Sequence, residues 1–265
     1  METQLLFYKR AVPVSSEAHK DVSLRVAGKY SFAKEVNSVP LVAAEFRAAA
    51  PDSTIVFAGE GDEVMPVVIL GLRDKENLYV DPDGSWNGRY IPAFMRRYPF
   101  VFASSEDGKN FTLFIDDEYD GVNKDGEGEK LFDSRGERTS YLGQVLDFMR
   151  EYQSQFARTK AFCKRLHELG LLEPMHAQYT LPDGSPGRLA GFSAVNREKL
   201  KELSGETLEQ MLKTDELELL FVHLQSLNNL QPLMEKVAAT APKAADKGKG
   251  ANGAAKGKSA RSETV

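Results

Sequence analysis

Seven residues in two stretches carry the side chains from which a site could be built. Glu45 lies in Pro40-Leu41-Val42-Ala43-Ala44-Glu45-Phe46. Trp86, Arg89, Tyr90, Arg96, Arg97 and Tyr98 lie in the run Trp86-Asn87-Gly88-Arg89-Tyr90-Ile91-Pro92-Ala93-Phe94-Met95-Arg96-Arg97-Tyr98-Pro99-Phe100-Val101-Phe102. A guanidinium presents a planar fork of donors that fits a carboxylate or phosphate, and aromatic walls keep water from such a contact. The set therefore reads as a pocket for an anionic group, with Glu45 available for acid or base work. The same residues also read as a core-forming corner. Around a helix Arg96 and Arg97 point about 100° apart, so both can hardly face one site. One is expected on the surface and the other inward beside Tyr98, where Glu45 would offset its desolvation.

Other constellations are thinner. Asp116-x-Glu118-x-Asp120-Gly121-x5-Glu127 has the oxygen spacing of a calcium-binding loop, but Glu118 replaces a shorter ligand and Asn123 stands at an apolar position. A solvated acidic loop is the expectation. Cys163 and His167 are one helical turn apart and His176 lies beyond, without a fourth ligand at zinc spacing, so no metal site is expected. Gly59-x-Gly61 lacks the third glycine of a dinucleotide fingerprint, and Gly191-Phe192-Ser193 lacks the second glycine of a nucleophile elbow. His19 and His223 have no nucleophile beside them in sequence, so neither a catalytic triad nor a cofactor can be assigned.

The elements that must position these residues are legible from periodicity. Gln4 to Tyr8, Leu24 to Val26, Thr54 to Phe57, Met65 to Leu72, Asn77 to Val80, Phe100 to Phe102 and Phe111 to Ile115 read as strands. Leu41 to Ala49 reads as an amphipathic helix between Pro40 and Pro51. Pro92 suits the first turn of a short helix in which Phe94, Met95 and Tyr98 share a face, and Pro99 ends it. Trp86, Tyr98 and Phe100 are expected to be buried against the helix of Glu45. From Ser140 the pattern turns helical and runs to a capping glycine, Gly170. A hairpin is expected to flank the turn Leu181 to Arg188, followed by short helices capped by Asn196, Thr207 and Thr214. In the last of these Leu217, Leu220, Phe221, Leu224 and Leu227 form the apolar face. The fold class is α+β, with a β-rich N-terminal half and a helical C-terminal half.

Composition bounds the rest. The chain has 265 residues, 42% hydrophobic, with net charge −5, and its acidity excludes nucleic-acid binding by the whole surface. One cysteine permits no intrachain disulfide and fits a reducing compartment. The N-terminal residues are no secretory signal, and Met65 to Leu72 is too short to span a bilayer, so a cytoplasmic protein without a transmembrane segment is expected. Residues 1–236 read as the globular domain. Residues 237–265, rich in Ala, Gly and Lys, read as a disordered tail with six cations against two anions. That +4, against −5 overall, leaves −9 on the body.

The ordered motifs also carry a resemblance. Asn77-Leu78-Tyr79-Val80-Asp81, Gly84-x-Trp86, Tyr90-Ile91-Pro92-Ala93 and Arg96-Arg97-Tyr98-Pro99-Phe100 resemble the hallmark run of the bacterial SapC family. Pro40 to Phe46, Leu131-Phe132-Asp133 with Gly136-Glu137, Leu189-x-Gly191-Phe192 and His223-Leu224-x-Ser226-Leu227-x-Asn229 are similar to it in the same order. The family takes its name from bacterial surface layers and brings no reaction or catalytic residues with it. The resemblance implies a non-enzymatic binding or accessory protein linked to cell-surface or outer-membrane uptake functions. The alternative is an enzyme whose pocket uses Glu45, Arg89, Arg96 or Arg97.

Overall fold

The computed structural model describes residues 5–26, 28–105, 110–180, 184 and 186–239. In chain order these residues form β1 (Ala11–Pro13), α1 (Ser16–His19), β2 (Ser23–Leu24), β3 (Ser38–Pro40), α2 (Phe46–Ala49), β4 (Thr54–Ala58), β5 (Met65–Ile69), α3 (Ala93–Arg96), β6 (Phe100–Ser104) and β7 (Phe111–Asp116). There follow β8 (Val122–Asn123), β9 (Glu129–Lys130), α4 (Ser140–Glu168), β10 (Leu172–Thr180), β11 (Pro186–Val195), α5 (Arg197–Lys201), α6 (Gly205–Lys213), α7 (Glu216–Ser226) and α8 (Leu230–Ala239). The architecture is α+β: sheets dominate the first half and helices the second.

Three antiparallel sheets are present among the described residues, ordered β10-β11-β4-β5-β3, β1-β7-β6 and β8-β2-β9. The five-stranded sheet is held by the full β4–β5 register from Thr54↔Ile69 to Ala58↔Met65, and the β10–β11 hairpin joins its edge through Phe192↔Ala58. That hairpin is longer than the sequence indicates. Of its turn, Leu181, Pro182, Asp183 and Ser185 lie outside the described residues, as does the tail from Thr240 onward.

The long helix α4 ties the sheets together. Thr139 caps its start by accepting from the Leu142 N–H, and Gly170 takes φ 64° just past its end, where an L side chain would be strained. Its 29 residues extend about 44 Å in one unbroken helix, as the periodicity from Ser140 to Gly170 indicates. Leu142 and Met149 pack on Phe100, Leu113, Ile115 and Leu131 of the smaller core. Tyr152, Phe162, Cys163 and Leu166 pack in the larger core with Phe46, Phe57 and Val68. One helix thus serves two cores.

Several expectations are corrected. The Gln4 to Tyr8 strand does not form in its described part, Leu5 to Tyr8. There Phe7 and Tyr8 turn into an aromatic cluster, and the next two N–H groups go to a side chain, Asp116. Of Leu24 to Val26 only Leu24 is in a strand, which is Ser23–Leu24. Asn77 to Val80 is held as a loop because Asn77 donates to the Ala33 carbonyl and accepts from the Tyr79 N–H, leaving one bridge, Val80↔Trp86. Ser204, rather than Thr207, caps α6, and Asp215 at φ 61° leads into α7 in place of a Thr214 cap. On α7 Leu217, Leu220 and Leu224, with Leu227 just past its end, pack on the core as expected and His223 and Ser226 join them, but Phe221 faces out at 49% exposed. Helix α8 continues past residue 236, and Val237, assigned to the tail by composition, is 1% exposed.

His223 is a structural tie. Its Nε2 accepts from the Val195 N–H at 3.1 Å and its Nδ1 lies 3.0 Å from the Ile55 carbonyl, joining α7 to β11 and β4. Burial pushes its pKa down to about 4, opposed by the Ile55 hydrogen bond. The Val195 contact requires the neutral ring, because a doubly protonated imidazole has no acceptor to offer.

Candidate functional site

The helix expected over Leu41 to Ala49 does not form as one piece. Leu41 and Val42 stay outside any helix, Val42 being extended, Ala43–Glu45 makes a 3-10 turn, and α2 adds a single turn. The cause is Glu45, which folds back so that its Oε2 accepts the Val42 N–H at 3.0 Å. Its Oε1 accepts the Ala93 N–H at 2.6 Å and the Tyr90 hydroxyl at 2.7 Å. Glu45 is 5% exposed, and the chain's own donors satisfy both of its oxygens. One of them is the first N–H of α3, which therefore starts against a carboxylate, as the helix dipole favours.

Arg96 leaves the end of this one-turn helix toward solvent, 41% exposed, with Nη2 4.0 Å from Glu45. It donates from Nε to the Ile91 carbonyl at 3.0 Å and from Nη2 to the Tyr90 hydroxyl at 3.1 Å. The guanidinium lies between the rings of Tyr90 and Phe148, 5.7 and 5.3 Å from their centroids. Burial, then the hydrogen bond to Glu45, pushes the Tyr90 hydroxyl up to about 12.

Arg97 goes inward. It is 8% exposed, stacked 4.0 Å over Phe94 and 5.3 Å from the Tyr152 ring centroid, and it hydrogen-bonds the Tyr8 hydroxyl. The expected division of the two arginines holds, but the expected pairing is reversed: the outer arginine meets Glu45. The inner one stacks on aromatic faces, which a guanidinium accepts more readily than an ammonium does.

Asp116 forms a second hub at the end of β7. It is fully buried, and its oxygens accept the N–H groups of Lys9, Arg10 and Glu118 and the Tyr98 hydroxyl at 3.0 to 3.3 Å. The first oxygen ligand of the calcium-like spacing is thus occupied by the fold. Glu127, its last, pairs with Arg25. Cys163 is buried while His167 is exposed, so they do not converge. Among the described residues no group of His, Cys, Asp or Glu is placed to hold a metal ion.

Trp86 is half-buried rather than buried. It stacks on Tyr79 at 5.3 Å and donates from Nε1 to the Tyr90 carbonyl at 3.0 Å. Arg89 is exposed at the edge, its N–H on Asp52. Tyr98 is half-buried. From it a continuous row of half-buried rings runs through Tyr119 on one side and Phe32, Tyr30 and Trp86 on the other, at centroid spacings of 4.2 to 5.9 Å. Sequence reasoning missed Tyr30, Phe32, Tyr119 and Asp116 as members, because they come from segments remote in the chain. The six aromatics of the run are the one local sign that such partners must exist.

This arrangement sits inside a region that a family model matches. The SapC model covers residues 14–233. The chain belongs to the SapC family. No curated protein and no solved structure gives a significant match. Every SapC-like motif quoted above falls within those limits, from the Glu45 turn through the arginine helix to His223. In this SapC chain the family's hallmark run supplies two partners of Glu45, Tyr90 and Ala93, and two rings of the aromatic row, Trp86 and Tyr98.

Proposed function

We propose that this SapC chain is a cytoplasmic, non-enzymatic binding or accessory protein serving cell-surface or outer-membrane uptake functions. Its binding face is formed by Arg96, Tyr90, Tyr98 and Trp86, with Tyr30, Phe32 and Tyr119 beside them, and Arg89 stands at its edge. Glu45 and Arg97 hold the face from behind. The observation that carries this reading is the separation of buried from exposed chemistry. The two carboxylates best placed for acid or base work, Glu45 and Asp116, spend their oxygens on donors of the fold. The rings and the Arg96 guanidinium remain half-open to solvent. A contiguous aromatic surface with one cation suits recognition of an anionic or amphipathic partner. The surface and uptake link rests on the family resemblance.

The test is to isolate the chain from a native host and identify what co-purifies, comparing wild type with Arg96→Glu. A molecule retained by the wild type, lost from the variant and recovered chemically unchanged after incubation supports the proposal. Conversion of that molecule to a product would overturn it in favour of an enzyme.

A further inference from the structure

On another part of the surface, sharing no residue with the Arg96 face, an open groove of about 1300 Å³ runs between α4 and the end of the β6–β7 hairpin. We propose that this groove receives an acidic amphipathic helix of a partner protein. Register explains why the groove exists. Phe102 lies opposite Leu113, and Phe111 opposite Ser104, on the sheet face that turns toward α4. Nearer the hairpin base, Phe100 and Ile115 are covered by the helix. Toward the tip the sheet and helix diverge, leaving Phe111 41% exposed and Phe102 half-buried, with Phe132 and Leu146 completing the floor.

Size, shape and charge select the occupant. The helix wall runs from Leu142 to Ala157, about 22 Å or four turns, which is the length of a helix of about fifteen residues. The volume exceeds the roughly 300–1,000 Å³ of sites for small molecules. An apolar floor of this length reads residues at i, i+3, i+4 and i+7 of a docked helix. Arg138 and Arg150 stand exposed on the rim, and the one lining carboxylate among the described residues, Glu137, is tied to Arg135 at 3.3 Å. Arg150 makes an exposed pair with Asp147, which costs little to exchange for another carboxylate. The two rim arginines give the groove local positive charge that favours acidic side chains, although the body as a whole carries −9. The same rim repels the chain's own +4 tail, and a symmetric second copy would set arginine rim against arginine rim.

The test is selection of random 15-residue peptides displayed on phage against the full chain, followed by affinity measurements on wild type and on Arg138→Glu/Arg150→Glu. Both arginines are exposed, so the variant should melt like the wild type. Phe111→Ser, which removes part of the floor and leaves the rim intact, serves as the second variant. The enriched peptides should show helical apolar spacing with Asp and Glu outnumbering Lys and Arg. They should bind both variants at least ten-fold more weakly and Arg96→Glu as well as wild type. No enrichment, a basic or extended consensus, unchanged binding to the variants, or loss confined to Arg96→Glu would overturn the proposal. So would concentration-dependent self-association abolished by Arg150→Glu, which assigns the groove to a second copy.

Discussion

Glu45 and Arg96 stand 4.0 Å apart, and the partner of this buried carboxylate is the arginine that remains 41% exposed. An ion pair in that position is screened on one side by water and contributes little. The firm contacts of Glu45 are instead with two backbone N–H groups and one hydroxyl. Arg97, one residue on, is committed to the interior.

The two arginines should therefore separate in stability. Arg96→Leu should change the unfolding free energy by less than about 1 kcal/mol. Arg97→Ala empties a packed site over Phe94 and should cost about 3 kcal/mol. Urea midpoints decide it, and equal midpoints would contradict the assignment.

Asp116 offers an independent check. Asn cannot accept with both groups, so Asp116→Asn leaves one of the donors from Lys9, Arg10, Glu118 or Tyr98 facing an amide, at about 2–3 kcal/mol. Because those oxygens are already used, calcium should not raise the melting temperature of the wild type. A rise at millimolar calcium would show that the loop reorganises into a binding site.

How much of this was legible follows from range. Local patterns gave β4, β7, the caps at Asn196 and Gly170 and the long helix α4, because apolar period and capping residues act within a few positions. The stop at Tyr98-Pro99 and the strand after it were likewise visible. Strands failed where a polar side chain captured the backbone: Asp116 takes the N–H groups after Tyr8, and Asn77 takes the Tyr79 N–H. The Glu45 turn failed for the same reason, since its carboxylate competes with helix formation at Val42. The site residues of the hallmark run were visible as a cluster, whereas Tyr30, Phe32, Tyr119 and Asp116 join it only through long-range packing.

His223 gives the fold a pH dependence of definite sign. Its pKa is about 4 in the folded chain and near 6.5 when unfolded. Between those values the unfolded chain binds more protons, so stability falls as pH drops from about 6.5 to about 4, by on the order of 3 kcal/mol. His223→Gln should lose that slope. Denaturant titrations at intervals across this range measure it, and a variant as pH-dependent as wild type would exclude His223 as the cause.

The C-terminal limit of the core is also testable. Cutting after Lys236 removes Val237, which is 1% exposed, and should cost about 2 kcal/mol. Thermal unfolding of the truncated chain at the wild-type temperature would contradict the burial of that residue.

The most direct test of the central claim is the equilibrium urea unfolding of Glu45→Gln. If the carboxylate is a structural hub, the amide places an N–H against the Ala93 or Val42 donor, and stability should fall by about 3 kcal/mol. A midpoint equal to wild type would contradict the account, because it would mean that Glu45 is held in reserve for chemistry on a ligand.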